Sequence, residues 1–181
     1  MSPLLAILCV AFHAAFAATN SSVEDCPKSL TRNEYLTAYN GICYQFVLYR
    51  KRDFISARED CSTYGGVLAL AKTRDIQTYL QNQITSRGVL DTVWIGLTDI
   101  EKENTFVWED GSLLDDAASN WADGSGPREG AIQHRLEDCV AMDTNRNGIW
   151  VDYHCQDEFL GLLTYEKNYV CQYRANVRSA I

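Results

Sequence analysis

The chain has 181 residues, a length that suits one folded domain. Hydrophobic residues make up 46% of it and charged residues 22%, which excludes a disordered chain and a collagen-like repeat. Sixteen Lys and Arg residues stand against 24 Asp and Glu residues, so the formal net charge is −8. This acidic balance provides no electrostatic surface for nucleic acid or for an anionic membrane, and neither is expected as a partner.

The first segment has the pattern of a secretory signal peptide. Residues 4–17 form an uncharged apolar run that is too short for a membrane-spanning helix. The run ends with Ala15-Phe16-Ala17, the small-x-small pattern of a signal-peptidase site. A buried N-terminal strand or helix is the alternative interpretation. Because no second long apolar run follows, we expect a secreted, extracellular protein without membrane insertion.

The predicted cleavage divides the chain into four segments. Residues 1–17 are the signal peptide, 18–25 an exposed leader, 26–173 one folded domain and 174–181 a C-terminal tail. The leader contains the sequon Asn20-Ser21-Ser22, which makes Asn20 a candidate glycosylation site. The sequence does not indicate the oligomeric state. No heptad region precedes the domain, so trimers formed through a coiled coil are not expected.

Two helices are predicted in the first half of the domain. Asp53 is a suitable N-cap for the first helix, and Gly65-Gly66 would end it. The apolar stripe of this helix comprises Phe54, Ala57, Cys61 and Tyr64. Thr73 is a suitable N-cap for the second helix, which would end near Gly88. Its apolar face comprises Ile76, Leu80 and Ile84.

Short strands account for most of the remaining pattern. The β-like runs are residues 42–46, 67–70, 93–97, 139–142 and 169–173. Asp110-Gly111 and Asn147-Gly148 are hairpin signals. Between them, residues 113–136 lose all periodicity and are predicted to form a long loop, which in a compact domain is often functional. Two early helices and late hairpins predict an α+β fold.

The cysteine count indicates disulfide bonds. Cleavage after Ala17 would remove Cys9 and leave six cysteines, an even number that predicts three disulfides in an oxidising compartment. Spacing alone does not choose among the possible pairings. A zinc site is disfavoured because the chain lacks a Cys-x2-Cys pair, although His154-Cys155 could contribute to one.

Acidic residues are concentrated in the loop-rich part of the domain. Residues 99–158 contain 15 acidic and four basic side chains, a net charge of −11. This excess is either a solvated surface that keeps the protein soluble or part of a cation site. Ca²⁺ favours carboxylate oxygens presented by loops, which makes it the cation to consider.

The order of several short motifs resembles the C-type lectin-like domain over residues 26–172. The motifs that carry it include, in chain order, Gly41-Ile42-Cys43-Tyr44, Trp94-Ile95-Gly96-Leu97, Glu137-Asp138-Cys139-Val140, Trp150-x-Asp152-x2-Cys155 and Tyr169-Val170-Cys171. It implies a C-type lectin-like fold of two helices, small antiparallel sheets and a long loop region. It also implies the disulfides Cys26–Cys43, Cys61–Cys171 and Cys139–Cys155.

The resemblance further implies where calcium and a sugar would bind. In the family, carboxylate and amide side chains hold Ca²⁺ and also bond two sugar hydroxyls. Three positions match the metal ligands of this pattern, namely Glu137, Asp138 and Asp152. The chain departs from the pattern at Gly126-Pro127-Arg128, where sugar binders have Glu-Pro-Asn or Gln-Pro-Asp. It departs again at Val151, where the family has an amide ligand.

Replacement ligands are available for a calcium ion. Asp123, Glu129 and Asp143 could supply oxygens, and Glu137 with Asp138 could serve the family's auxiliary calcium position. Around the same loops, the candidate ligand-binding residues are Pro127, Arg128, Tyr153 and His154. The tryptophans Trp94, Trp108, Trp121 and Trp150 are predicted to lie in the core.

Two further patterns were weighed for function. Arg50-Lys51-Arg52 is interpreted as a solvated turn, with contact to sulfated or sialylated glycans as the alternative. An enzyme is not expected, because a Gly-x-Ser-x-Gly motif is missing and the mature chain has only His134 and His154 as candidate histidine bases.

The sequence therefore predicts a secreted recognition protein that binds glycans through its long-loop face, with Ca²⁺ as its possible cofactor. The alternatives are a calcium-independent domain whose loops bind a protein, and an acidic protein of a mineral matrix. Family members of this secreted kind commonly serve in innate immunity, and this role is a further expectation.

Overall fold

The computed structural model describes residues 22–128, 136–156 and 165–176. The predicted signal peptide, Asn20, Glu129 and the end of the predicted C-terminal tail lie outside the described residues. Within the described part, no helix has the length and hydropathy that are needed to cross a bilayer.

Eight strands and two helices form the described domain. The helices are α1 (Phe54–Ser62) and α2 (Arg74–Thr85). The strands are β1 (Leu36–Tyr39), β2 (Ile42–Arg52), β3 (Val67–Leu68), β4 (Thr92–Thr98), β5 (Val107–Trp108), β6 (Cys139–Asp143), β7 (Ile149–Tyr153) and β8 (Lys167–Arg174). They form one sheet in the order β1-β2-β8-β4-β6-β7, with β3 beside β8 and β5 beside β4. This α+β architecture confirms the predicted fold class.

The predicted caps and turns begin and end these elements. The Asp53 side chain accepts a hydrogen bond from the Ser56 amide at the start of α1, and Thr73 accepts one from the Ile76 amide at the start of α2. Asn147 and Gly148 both adopt positive φ in the β6–β7 connection, at 59° and 75°. Such φ values suit an Asn-Gly pair, which explains why this dipeptide turns the chain here.

Alternation along the strands divides the core between the two faces of the sheet. On β4, Val93, Ile95 and Leu97 pack against α2, whereas Trp94 packs with α1. We call these two sides the α2 face and the α1 face; the α1 face also contains all six disulfide cysteines, with Cys155 at its margin. Successive strand residues point to opposite sides of the sheet, and here both sets of side chains are buried. Both faces of the sheet are therefore covered.

The three disulfides join Cys26 to Cys43, Cys61 to Cys171 and Cys139 to Cys155, as the resemblance implied. The second bridge closes a sequence separation of 110 residues, between α1 and β8. On the chain-entropy model such a closure stabilises the fold by about 4–5 kcal/mol. The buried tryptophans Trp94, Trp108 and Trp150 lie in the core as predicted, and the partly buried Trp121 packs edge-on against Trp150.

Two local predictions are wrong. Tyr64 does not belong to the apolar stripe of α1, because the helix ends at Ser62 and the tyrosine is 53% exposed. Arg50-Lys51-Arg52 is not a turn but the end of strand β2. Two of its basic groups have acidic partners, since Arg50 pairs with Asp60 and Lys51 with Asp91.

Candidate functional site

Sheet register brings two acidic residues together at one end of the sheet. Strands β4 and β6 pair with Thr98 opposite Cys139. Asp99 follows β4 directly and Asp138 precedes β6 directly, so the antiparallel pairing places these two residues side by side. The Asp99 amide donates to the Asp138 carbonyl at 3.2 Å, which joins their backbones.

A tight turn adds a third carboxylate to this pair. The Lys102 amide donates to the Asp99 carbonyl at 3.0 Å, and the Asn104 amide donates to Asp99 Oδ2 at 2.8 Å. Asn104 itself adopts a φ of 62°, a conformation that asparagine tolerates better than most residues. The turn brings Glu103 back toward Asp99. One carboxylate oxygen from each of Asp99, Glu103 and Asp138 then lies within 4.8 Å of the other two. We call this group the acidic cluster.

The acidic cluster contains a buried oxygen without a hydrogen bond. Asp99 is only 5% exposed, and its Oδ1 atom is buried with no hydrogen-bond partner. Burial, followed by the negative charges of Asp138 and Glu103, raises the pKa of Asp99 to about 6 from 3.8, although the Asn104 amide opposes this. Leaving a buried carboxylate oxygen unpaired is costly. A cation among the three carboxylates would remove that cost.

The geometry of the acidic cluster fits calcium. Ca²⁺–oxygen distances of about 2.3–2.6 Å place two ligand oxygens on opposite sides of one ion roughly 4.6–5.2 Å apart. In the acidic cluster the three oxygens all lie within 4.8 Å of one another, so they are close enough to share one ion. Calcium also takes carboxylate oxygens as ligands, and these are the donors present. Asp99, Glu103 and Asp138 are therefore the described residues best suited to hold the ion that the family implies.

The acidic cluster is joined to the long loop through Asn104. The Arg128 amide donates to Asn104 Oδ1 at 2.5 Å, so the turn that carries Glu103 also holds the loop. Pro127 and Arg128 are both exposed beside this contact. The turn is therefore hydrogen-bonded directly to the part of the loop that contains the predicted ligand-binding residues Pro127 and Arg128.

The principal calcium position that the resemblance implied does not fit a calcium ion as the acidic cluster does. Asp152 is 3% exposed, and its Oδ2 accepts a hydrogen bond from the Gly126 amide at 3.0 Å. Gly126 has a φ of 83°, and a Cβ atom there would lie 2.5 Å from the Trp121 ring. Trp121 therefore occupies the space in which a Glu or Gln ligand would begin. Val151 contributes no oxygen from its side chain. Asp152 holds the loop backbone in this structure.

The predicted metal ligands do not meet as one group within the described residues. Of the three, only Asp138 belongs to a set of carboxylates close enough to share an ion, while Glu137 is partly buried beside it. Asp143 lies at the other end of β6, where it accepts hydrogen bonds from the Asn145 and Arg146 amides and pairs with Arg146 Nε at 2.6 Å. Asp123 is exposed.

The two predicted aromatic ligand-binding residues, Tyr153 and His154, lie between Asp152 and Cys155 in the chain. The Tyr153 ring packs edge-on against Trp94, and the Lys167 ammonium lies 3.6 Å from its centroid. Burial lowers the pKa of Lys167 to about 8, although Asp91 opposes this. His154 stacks on Tyr165 with ring centroids 4.8 Å apart. Tyr153 is thus engaged with the α1 face of the core, whereas His154 is part of a surface stack.

Sequence reasoning missed Asp99 and Glu103. A signal for them was present, since an Asp and a Glu four residues apart follow the apolar run of residues 93–97 after Thr98. What the sequence does not contain is the β4–β6 pairing, which joins positions about 40 residues apart.

Comparisons with known proteins place this architecture in one family. The family model for the lectin C-type domain matches residues 50–173. Collectin-10 of Gallus gallus is 35% identical over 113 residues, which cover 62% of this chain and 38% of that protein. The chain thus aligns with less than half of the length of this relative.

Solved structures show the same fold. The carbohydrate-recognition domain of the mouse scavenger receptor C-type lectin superposes with a TM-score of 0.64 at 25% identity, covering 83% of this chain and 99% of that chain. The cow CD23 carbohydrate-recognition domain, determined in the presence of a GlcNAc2Man3 oligosaccharide, gives 0.62 at 28% identity, covering 81% and 98%. With the described fold, its three disulfides and the family match over residues 50–173, the chain belongs to the lectin C-type domain family.

Proposed function

We propose that this protein is a secreted recognition protein that binds carbohydrate through its long-loop face, supported by calcium at the acidic cluster. C-type lectins are binding proteins rather than enzymes, and the relatives include a domain whose structure was determined in the presence of an oligosaccharide. Secretion is supported by the signal-peptide pattern of residues 1–17. N-terminal sequencing of protein collected from the medium of expressing cells tests it, with residue 18 as the expected first residue.

The observation that carries this proposal is the buried, unpaired Oδ1 of Asp99 beside Glu103 and Asp138. Bound calcium would offset two of the three negative charges and supply the missing partner. Asn104 would then remain in the position from which it accepts the Arg128 amide. The role of the acidic cluster is thus to order the loop, and contact with the sugar falls to groups on the loop itself.

The exposed loop residues have suitable chemistry for sugar hydroxyls. The Arg128 guanidinium is a planar donor, and Pro127 presents an apolar ring next to it. The backbone beneath them is held by Asp152 through the Gly126 amide. This arrangement favours recognition by the loop surface over a sugar that is bridged by calcium, because the family's bridging position has Gly126 and Val151 in place of ligands.

A protein ligand on the same face is the second candidate. The observation that favours it is the ring of Trp121, which fills the space beside Gly126 where a calcium-and-sugar ligand would start. Next to the same loop, Leu136 is 57% exposed. Exposed aliphatic side chains suit a protein interface better than a monosaccharide.

A glycan array with the folded mature chain tests the proposal, run in millimolar calcium and again with chelator. We expect a calcium-dependent signal that the Asp99→Asn variant loses, while the matched variant Glu101→Gln keeps it, since Glu101 is exposed and lies outside the acidic cluster. An array without calcium-dependent signal, obtained with protein whose melting temperature still responds to calcium, would overturn carbohydrate binding by this face and favour the protein ligand.

A further inference from the structure

Two exposed tyrosines line one cleft on the α1 face, apart from the acidic cluster. Tyr49 is 61% exposed and Tyr64 is 53% exposed, and no other aromatic side chain in the described residues is exposed to this degree. Tyr49 belongs to β2, whereas Tyr64 follows α1. Nevertheless both contribute to the same cleft of about 220 Å³. Aromatic rings left in solvent on two sides of one concave surface are a common feature of ligand sites.

The floor of this tyrosine cleft is set by strand register. Gln45, Val47 and Tyr49 alternate along β2, so their side chains share one side of the sheet. Gln45 lies opposite Cys171 of β8, and Cys43 lies opposite Tyr173. Cys171 and Tyr173 complete the floor and are almost fully buried. The floor is therefore part of the sheet core and does not depend on loop conformation.

The walls of the tyrosine cleft are tied to this floor. One wall is formed by Ser29, Leu30, Thr31 and Asn33. The Cys26–Cys43 disulfide fastens this segment to β2. Arg32 donates hydrogen bonds to the carbonyls of Cys26, Pro27 and Leu30, which fixes the course of this segment. The other wall includes Asp60 and Tyr64, next to the Cys61–Cys171 disulfide. A site that is already ordered loses little conformational entropy when a ligand binds.

The tyrosine cleft offers polar groups that have no hydrogen bonds within the described residues. The side chains of Ser29, Thr31, Gln45 and Tyr173 line the cleft, and none of them donates or accepts a hydrogen bond there. Hydroxyl and amide groups can each donate and accept, which suits ligands rich in hydroxyls. The two charged groups, Arg50 and Asp60, are paired with each other, so the cleft has no net charge.

From this combination we propose that the tyrosine cleft is a second binding site, which takes a neutral saccharide without calcium. The exposed rings of Tyr49 and Tyr64 provide apolar faces for the C–H surfaces of a sugar, and the unpaired hydroxyl and amide groups meet its hydroxyls. A sulfated or sialylated sugar is disfavoured, because Asp60 already pairs with Arg50. A protein partner is disfavoured because the cleft is small, at about 220 Å³. A stable protein interface covers about 800 Å² on each side, which is a much larger surface.

The test measures saccharide binding in chelator, where the proposed calcium site is disabled. Saturation-transfer NMR and an array of neutral glycans are run with the wild type and with the Tyr49→Ala and Tyr64→Ala variants. We expect binding to persist in chelator and each substitution to weaken it by about tenfold. The Tyr49→Phe variant, which keeps the ring, is expected to stay within about threefold of the wild type, since stacking depends on the ring face.

Two controls separate this site from the long-loop face. Leu90→Ala removes an apolar side chain that is 64% exposed but does not line the cleft, and Asp99→Asn disables the acidic cluster. Both variants should bind in chelator as the wild type does. The inference is overturned if no neutral saccharide binds in chelator, if both tyrosine variants bind normally, or if the tyrosines prove to contact a protein that saccharides do not displace. None of these results depends on whether the long-loop face binds glycans.

Discussion

Asp99 and Asp152 are both buried carboxylates next to the long loop, yet their oxygens are used differently. Asp152 Oδ2 accepts the Gly126 amide, so this side chain is a structural support of the loop. Asp99 gives one oxygen to the Asn104 amide and leaves the other buried without a partner, beside two further carboxylates. The comparison teaches that burial and charge alone do not identify a metal ligand; the hydrogen bonds already made by each oxygen do.

Removal of the Asp152 carboxylate should give the largest effect on stability. In Asp152→Ala the Gly126 amide loses its acceptor in a buried position, which is expected to lower the free energy of unfolding by about 2–4 kcal/mol. Asp152→Asn keeps an acceptor oxygen and should lose less. Urea unfolding in the presence of chelator measures both variants. Equal stability of Asp152→Ala and the wild type would show that this hydrogen bond does not support the loop.

Calcium should stabilise the folded protein by binding at Asp99. A ligand at 100 times its dissociation constant stabilises a folded protein by about 3 kcal/mol, so thermal unfolding of the wild type should shift upward with calcium. We expect Asp99→Asn to abolish this shift and Asp152→Asn to retain it, because only Asp99 belongs to the acidic cluster. Melting curves in millimolar calcium and in chelator provide the measurement. A shift that survives in Asp99→Asn would place the ion elsewhere.

The raised pKa of Asp99 predicts a pH dependence in the absence of calcium. The folded protein holds the Asp99 proton up to about pH 6, whereas the unfolded chain releases it near 3.8. Stability contributed by this group is therefore lost as the pH rises from about 4 to 6, by about 3 kcal/mol in total.

The Asp99→Asn variant lacks this titration and serves as the reference. In chelator, its free energy of unfolding minus that of the wild type should increase between pH 4 and pH 6 and then level off. Chemical denaturation at a series of pH values measures the difference. A difference that stays constant over this range would contradict the assignment of the raised pKa to Asp99.

An exposed acid in the same loop should have the smallest effect. Asp123 is exposed and lies outside the acidic cluster. Asp123→Asn is expected to change the free energy of unfolding by less than about 0.5 kcal/mol, and to leave the calcium-induced shift in melting temperature as it is in the wild type. A smaller calcium-induced shift in melting temperature in this variant would indicate that Asp123 is a ligand. Exposed acids would then also contribute to the calcium site.

Much of the local structure was predictable from the sequence because it depends on neighbouring residues. Asp53 and Thr73 cap helices through amides three residues further along the chain. The short apolar run of residues 93–97 predicted strand β4. Where a prediction about local structure was wrong, as at Tyr64, the cause was the early end of α1, which exposes a side chain that the helical spacing would have buried.

The candidate site was less predictable because its parts are distant in sequence. Asp138 was identified through the family pattern, but Asp99 and Glu103 join it only through the pairing of Thr98 with Cys139. The tyrosine cleft depends in the same way on β2, β8 and the residues after α1 meeting on one face. The periodicity of a single segment does not predict contacts between segments that are distant in sequence.

The sequence by itself determined the capped helices, the apolar strands, the Asn147-Gly148 turn and, through its family resemblance, the three disulfide pairs. Propensity, capping and turn chemistry act over a few residues, so they can be seen in the chain. Only the tertiary structure decided which acids are already satisfied and which are not. Asp152 accepts a hydrogen bond from the Gly126 amide, 26 residues away in the chain. Asp99 instead lies beside two other carboxylates. The function of a buried polar group depends on such remote partners, because bulk water does not reach the interior to replace a partner that the fold does not supply.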